Sequence, residues 1–206
     1  MTGNNASASP LSRRSVLTAG GAALAVVLGL SGCAQEDALA QQAKAGDNKN
    51  YVAGDGSVTE FAVADRKSPI AIKGTLFDGT AVTAEAFQGQ VTLLNFWFAA
   101  CAPCRVEAPT LEDLHQDFKS QGVQFFGVNL RDEKATAEAF DKTFNLTYPS
   151  FNDKDGAVLL AVSGLVPPGA VPTTLVLDKQ GRVASRVLGE IQKGTLKSLI
   201  AAAVAE

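Results

Sequence analysis

Cys101-Ala102-Pro103-Cys104 follows directly on the apolar run Val91-Thr92-Leu93-Leu94-Asn95-Phe96-Trp97-Phe98 and opens a stretch of helical periodicity. Two thiols two residues apart, at the end of a strand and the start of a helix, can cycle between dithiol and disulfide. The free N–H groups and dipole of the helix N-terminus favour a thiolate on the first sulfur. A thiolate with a neighbour able to resolve it is a redox centre. The same spacing suits half of a zinc site, which would need two further ligands. The chain offers only Cys33 and its single histidine, His115, and Cys33 has another use. The redox reading is therefore preferred.

Cys33 belongs to an export signal. Ser12-Arg13-Arg14-Ser15-Val16-Leu17 is a twin-arginine pattern, and an apolar segment from Val16 to Leu30 follows it. That segment falls short of the roughly 20 apolar residues that a spanning helix needs. It suits the apolar region of a signal peptide, with an uncleaved signal anchor as the alternative. Leu30-Ser31-Gly32-Cys33 reads as a lipobox, in which small residues precede a cysteine that accepts diacylglycerol before cleavage. Residues 1–32 are expected to be the signal, and lipidated Cys33 to anchor the chain to the outer face of the cell membrane.

With Cys33 lipidated, Cys101 and Cys104 are the only thiols left. No structural disulfide is then possible, and stability has to come from a hydrophobic core. A hydrophobic content of 46% suffices for one compact domain at the remaining length. Arg13 and Arg14 leave with the signal, which has no acidic residue, so the mature balance is more acidic than the −3 of the whole chain. No basic cluster is available for phosphates, which excludes nucleic acid as a partner.

Residues 33–58 are polar and lack apolar periodicity, and read as a flexible tether. Residues 59–206 read as one domain. Ala71 to Leu76 and Ala81 to Val82 flank Phe77-Asp78-Gly79-Thr80, a hairpin with Asp-Gly turn chemistry. Val91 to Phe98 is expected to be a central strand covered on both faces. Pro103 to Ser120 is expected to be a helix that buries Val106, Leu111, Leu114 and Phe118, ended by Gly122. A strand over Val123 to Val128 and helices over Lys134 to Phe144 and Asp155 to Val162 come next. Strands over Thr173 to Leu177 and Arg182 to Leu188 and a helix over Thr195 to Val204 complete the pattern. This alternation predicts an α/β fold: a mixed central sheet flanked by helices, with an N-terminal β-hairpin extension. Its site lies at the carboxyl end of a central strand, where Cys101 falls.

Asn95-Phe96-Trp97, the run Cys101-Ala102-Pro103-Cys104-Arg105-Val106-Glu107-Ala108-Pro109 and the later Val171-Pro172-Thr173-Thr174 resemble the thioredoxin-like fold. More narrowly, they resemble the TlpA/ResA-like lipoproteins of actinobacteria, over roughly Glu60 to Val204. The resemblance implies a membrane-tethered, extracytoplasmic thiol–disulfide oxidoreductase. Several such proteins are reductases serving cytochrome c maturation. The implied partners are exported proteins with disulfides or thiols, apocytochrome c among them, and a membrane thiol–disulfide electron donor. No cofactor beyond the Cys101–Cys104 disulfide and no metal is implied, and a monomer is expected.

The resemblance also implies roles. Cys101 is the nucleophile, nearer solvent, and Cys104 the resolving thiol one turn inside. Glu107 lies three residues beyond Cys104 on the same helix face and would be a partly buried acid that relays a proton to Cys104; an exposed first-turn glutamate is the alternative. Pro172 would be cis, with the Val171 backbone offered to a bound peptide; a plain strand-edge proline is the alternative. Trp97, Ala102 and Pro103 complete the expected substrate contacts, although Trp97 also suits simple packing and Pro103 simple helix initiation. His115 reads as a surface helix residue. Ala100 departs from the family, which has a larger residue, often Trp, at that place.

Alternatives to a reductase are a disulfide oxidase or isomerase of exported proteins, a thiol peroxidase, and a lipid-anchored binding module. The peroxidase pattern Pro-x-x-x-Thr-x-x-Cys fails here, with Leu94 and Phe98 in the Pro and Thr positions.

Overall fold

The structure, a computed structural model, describes residues 54–206. The twin-arginine segment, Cys33 and nearly all of the expected tether lie outside the described residues. A six-stranded sheet is built from β1 (Ser57–Glu60), β4 (Thr92–Trp97), β5 (Gln124–Asn129), β6 (Ser150–Asn152), β7 (Thr173–Leu177) and β8 (Val183–Leu188). Its strands run in the order β1-β8-β7-β4-β5-β6. β4 pairs parallel with β5 and antiparallel with β7, so the sheet is mixed. β2 (Lys73–Thr75) and β3 (Ala81–Thr83) form the separate hairpin that the Asp-Gly turn predicts. In it, Thr80 N–H donates to Asp78 and Gly79 takes a φ of 94°.

The helices are α1 (Ala102–Lys119), α2 (Lys134–Phe144), α3 (Ala157–Ala161) and α4 (Lys193–Ala205). None among the described residues is long and apolar enough to cross a membrane. Every residue of β4 is buried, as a strand covered on both faces must be. Leu93 packs with Leu111, Leu114, Leu196 and Ile200 on the α1/α4 side. Leu94 and Phe96 pack with Phe126, Phe151 and Leu175 on the other. Each such fully buried side chain contributes about 1.5–3 kcal/mol relative to exposure. Alternation sends Asn95 to the same face as Leu93, toward α1.

Three expectations need correction. Val106 is not a core residue: it is 61% exposed. The inward face of α1 carries Cys104, Glu107, Ala108, Leu111, Leu114 and Phe118. This is a 3- and 4-residue spacing into which Val106 does not fit, and the glutamate occupies the slot the valine was expected to fill. β1 begins at Ser57, inside the stretch read as tether, because its polar sequence is ordered by pairing with β8. β6 has only three residues and carried no periodic signal. His115 is half-buried between the rings of Phe125 and Tyr148 rather than on the surface.

Gly127 in β5 shows how tightly the sheet packs beneath the site. A Cβ there would lie 2.2 Å from Ser150 Oγ and 2.6 Å from Trp97 Nε1. We expect Gly127→Ala to destabilise the fold by about 1–3 kcal/mol through overpacking, read as a lower midpoint in urea unfolding; an unchanged midpoint would contradict this packing.

Candidate active site

β4 ends at Trp97 and α1 starts at Ala102, so the chain turns from sheet to helix within four residues. The turn is braced from β5. Asn129 Oδ1 accepts N–H bonds from Arg131 and Asp132, at 3.1 and 2.8 Å. Asp132 Oδ2 in turn accepts from Ala99 N–H at 2.6 Å and Asn129 Nδ2 at 2.8 Å. Sequence reading missed this pair. An Asn followed three residues later by Asp, just past a strand, is nonetheless a recognisable turn signature.

Cys101 and Cys104 are bonded, with sulfurs 2.08 Å apart. Cys101 caps α1: its Sγ accepts the Cys104 N–H at 3.3 Å. In the dithiol form the same N–H and the helix dipole stabilise negative charge on Cys101. Pro103 occupies the first turn, where its missing N–H costs nothing. Two guanidinium groups stand on rings at this end of the sheet, Arg131 over Phe98 at 4.3 Å and Arg105 over Phe144 at 5.2 Å.

The expected order of exposure does not hold in this disulfide form. Cys101 is 0% and Cys104 2% exposed, both packed with Trp97, Phe98 and Val171. The Val171–Pro172 bond is cis. Val171 has no surface to offer a peptide here, since it is buried in the same cluster. Pro172 is buried too, its carbonyl accepting the Gly189 N–H at 2.8 Å. Trp97 belongs to the packing, its ring 4.3 Å from that of Phe140. Of the expected substrate contacts, only exposed Ala102 and half-buried Pro103 reach the surface, beside Ala100 and Val106.

Glu107 is buried, not an exposed first-turn charge: it is 1% exposed, on the Cys104 face of α1. Asn95 Nδ2 donates to one carboxyl oxygen at 2.7 Å and Ile191 N–H to the other at 3.1 Å. Asn95 is itself held by Thr174 Oγ1 at 3.1 Å. Burial pushes the Glu107 carboxyl up to about 8, against the two hydrogen bonds, which lower it, and with Glu190 adding to the rise. The acid therefore keeps its proton at neutral pH in the disulfide form. Among the described residues no group of three or more His, Cys, Asp or Glu is placed to hold a metal ion.

A folded-state carboxyl raised above its unfolded value binds more protons than the unfolded chain between the two values. Stability is then lost as pH rises from about 4.5 toward 8. We expect urea unfolding of Glu107→Gln to show a shallower loss of stability between pH 5 and pH 8 than the parent chain. Parallel pH profiles would contradict a raised Glu107.

Residues 64–186 match the AhpC/TSA family model. The chain is similar to the thiol-disulfide oxidoreductase ResA of Geobacillus thermodenitrificans, 34% identical over 111 residues. That match covers 54% of this chain and 62% of the relative. The ResA of Bacillus subtilis is 31% identical over 119 residues, covering 58% of this chain and 64% of that protein. The chain thus spans less than two thirds of these relatives. Among solved structures, a secreted thiol-disulfide isomerase from Corynebacterium glutamicum superimposes with a TM-score of 0.65 at 32% identity, covering 74% of this chain and 95% of its own. A DsbF homologue from Corynebacterium diphtheriae gives a TM-score of 0.63 at 32% identity, covering 72% and 94%. With its mixed sheet, its cis proline and its disulfide at the start of α1, the chain belongs to the AhpC/TSA family and has the thioredoxin-like fold.

Proposed function

We propose that the protein is a thiol–disulfide oxidoreductase that reduces disulfides of exported proteins, tethered to the outer face of the membrane through Cys33. The observation that carries this reading is the Cys101–Cys104 disulfide at a helix N-terminus, backed by the buried carboxyl of Glu107. In the dithiol form the Cys101 thiolate attacks one sulfur of a client disulfide. A mixed disulfide forms and the other client sulfur leaves as a thiolate that takes a proton from water. Cys104 then attacks the Cys101 sulfur and gives its proton to the Glu107 carboxylate, while the second client sulfur departs. Two electrons have passed to the client, Cys101 and Cys104 are joined, and Glu107 is protonated, the state that its raised pKa favours in the disulfide form. A membrane thiol–disulfide donor reverses the sequence and returns the proton to Cys104.

Clients meet Ala100, Ala102, Pro103 and Val106 first, a small and largely apolar rim suited to an unfolded or extended segment. Apocytochrome c is the client class that the family resemblance suggests. The similarity to a secreted isomerase supports a second direction, disulfide rearrangement, on the same chemistry. Peroxidase chemistry is disfavoured because buried Leu94 and Phe98 stand where its pattern needs Pro and Thr.

Insulin reduction by the dithiol form tests the reading against a lipid-anchored binding module. The parent chain is expected to precipitate insulin chains with turnover, and Cys101→Ser to fall to background. Equal rates for the two would remove the thiol chemistry from the proposal. Anchoring is tested separately. Cys33→Ala is expected to move the protein from the membrane fraction to the soluble exported fraction, and its retention on membranes would exclude a lipid anchor at Cys33.

A further inference from the structure

Behind Cys104, between α1 and α2, lies a small space that the redox chemistry above does not use. Its walls include Asn95, Trp97, Cys104, Ala108, Phe140 and Tyr148, and it gives the centre of a water molecule about 10 Å³ of room. That is the lower size at which a cavity holds one water, provided that two to four polar partners are present. The walls supply them. Asn95 is 3% exposed and both its N–H bonds are committed, to Glu107 and Thr174, so its carbonyl oxygen is left to accept. Tyr148 is 5% exposed and brings its phenol to the same space. Buried tyrosine hydroxyls and amide carbonyls are expected to be paired. Cys104 borders the same space.

We propose that this cavity binds one water molecule, which donates to the Asn95 carbonyl, accepts from the Tyr148 hydroxyl and, in the dithiol form, donates its other hydrogen to Cys104 Sγ. Tyr148 is then a positioning residue for the resolving thiol, acting through the water. Tyr148 remains a donor throughout the working range, since burial, with Glu107, Asp141 and Glu112 nearby, holds its phenol well above its ordinary value. The titratable groups that face this arrangement are Glu107, on the Cys104 face of α1, Glu112 on α1 and Asp141 on α2, which act on Tyr148, His115, whose ring packs on that of Tyr148, and Glu190 ahead of α4, which acts on Glu107. Of these, the carboxylates disfavour a Cys104 thiolate, so a water-borne hydrogen bond works in the opposite direction.

The water site stands independently of the reductase reading, whereas the effect on Cys104 rests on its role as resolving thiol. A crystal structure of the protein is expected to show an ordered water within hydrogen-bond distance of Asn95 Oδ1 and the Tyr148 hydroxyl; a dry cavity overturns the proposal. In a Cys33→Ala, Cys101→Ser background, where Cys104 is the one thiol left, Tyr148→Phe is expected to slow Cys104 alkylation roughly three- to tenfold below its pKa, with the pH profile shifted upward. An unchanged profile, with the water still present in the parent structure, overturns the role assigned to Tyr148. Neither result depends on turnover with insulin, so each is distinguishable from failure of the reductase reading.

Discussion

The arrangement depends on a carboxyl group kept out of water. A lone ionised carboxylate in an apolar interior costs several kcal/mol even after relaxation, so such a group takes partners or takes a proton. Glu107 does both. Asn95 from β4 and the Ile191 N–H from the chain entering α4 meet its two oxygens, yet burial still outweighs them and raises its affinity for a proton. Three distant parts of the chain thereby converge on one acid, one helical turn from Cys104. A buried aspartate in the strand could serve a similar purpose. Here the strand position is Asn95, an amide that cannot titrate and instead orients the acid on the helix.

Around that acid the fold supplies rigidity. β4 is buried along its whole length, and the turn that follows it is fixed by Asn129 and Asp132 before Cys101 begins α1. Thr173 Oγ1, bonded to the Ala170 carbonyl at 2.7 Å, fixes the cis-proline loop on the other side. The two cysteines thus sit on a helix terminus whose position is set by hydrogen bonds from the short side chains of Asn129, Asp132 and Thr173, mostly to the backbone. This suits a site where sulfur-to-sulfur attack has to be well aligned.

Much of this was legible in the sequence where the signal is local. The CxxC motif, its place between strand and helix, the Asp-Gly hairpin, and the extents of α2 and β7 follow from spacing and turn chemistry. What was not legible depends on contacts distant in sequence. β1 is polar and exists through pairing with β8. The Ile191 N–H reaches Glu107 from 84 residues away. Val106 was misplaced because apolar character was counted as inward-facing, whereas the true face carries an acid. The burial of Cys101 and Val171 was missed for a related reason: local sequence shows which sulfur lies at the helix start, but not how Trp97, Phe98 and the cis-proline loop close over it.

The central claim is that Glu107 holds a proton at neutral pH while Cys101 and Cys104 are joined. Carbon-detected NMR of the Glu107 side-chain carboxyl, followed across pH in the disulfide form, measures it most directly. A titration midpoint near 8 is expected. A Glu107 carboxyl that titrates near 4.5, like an ordinary exposed glutamate, would contradict the account.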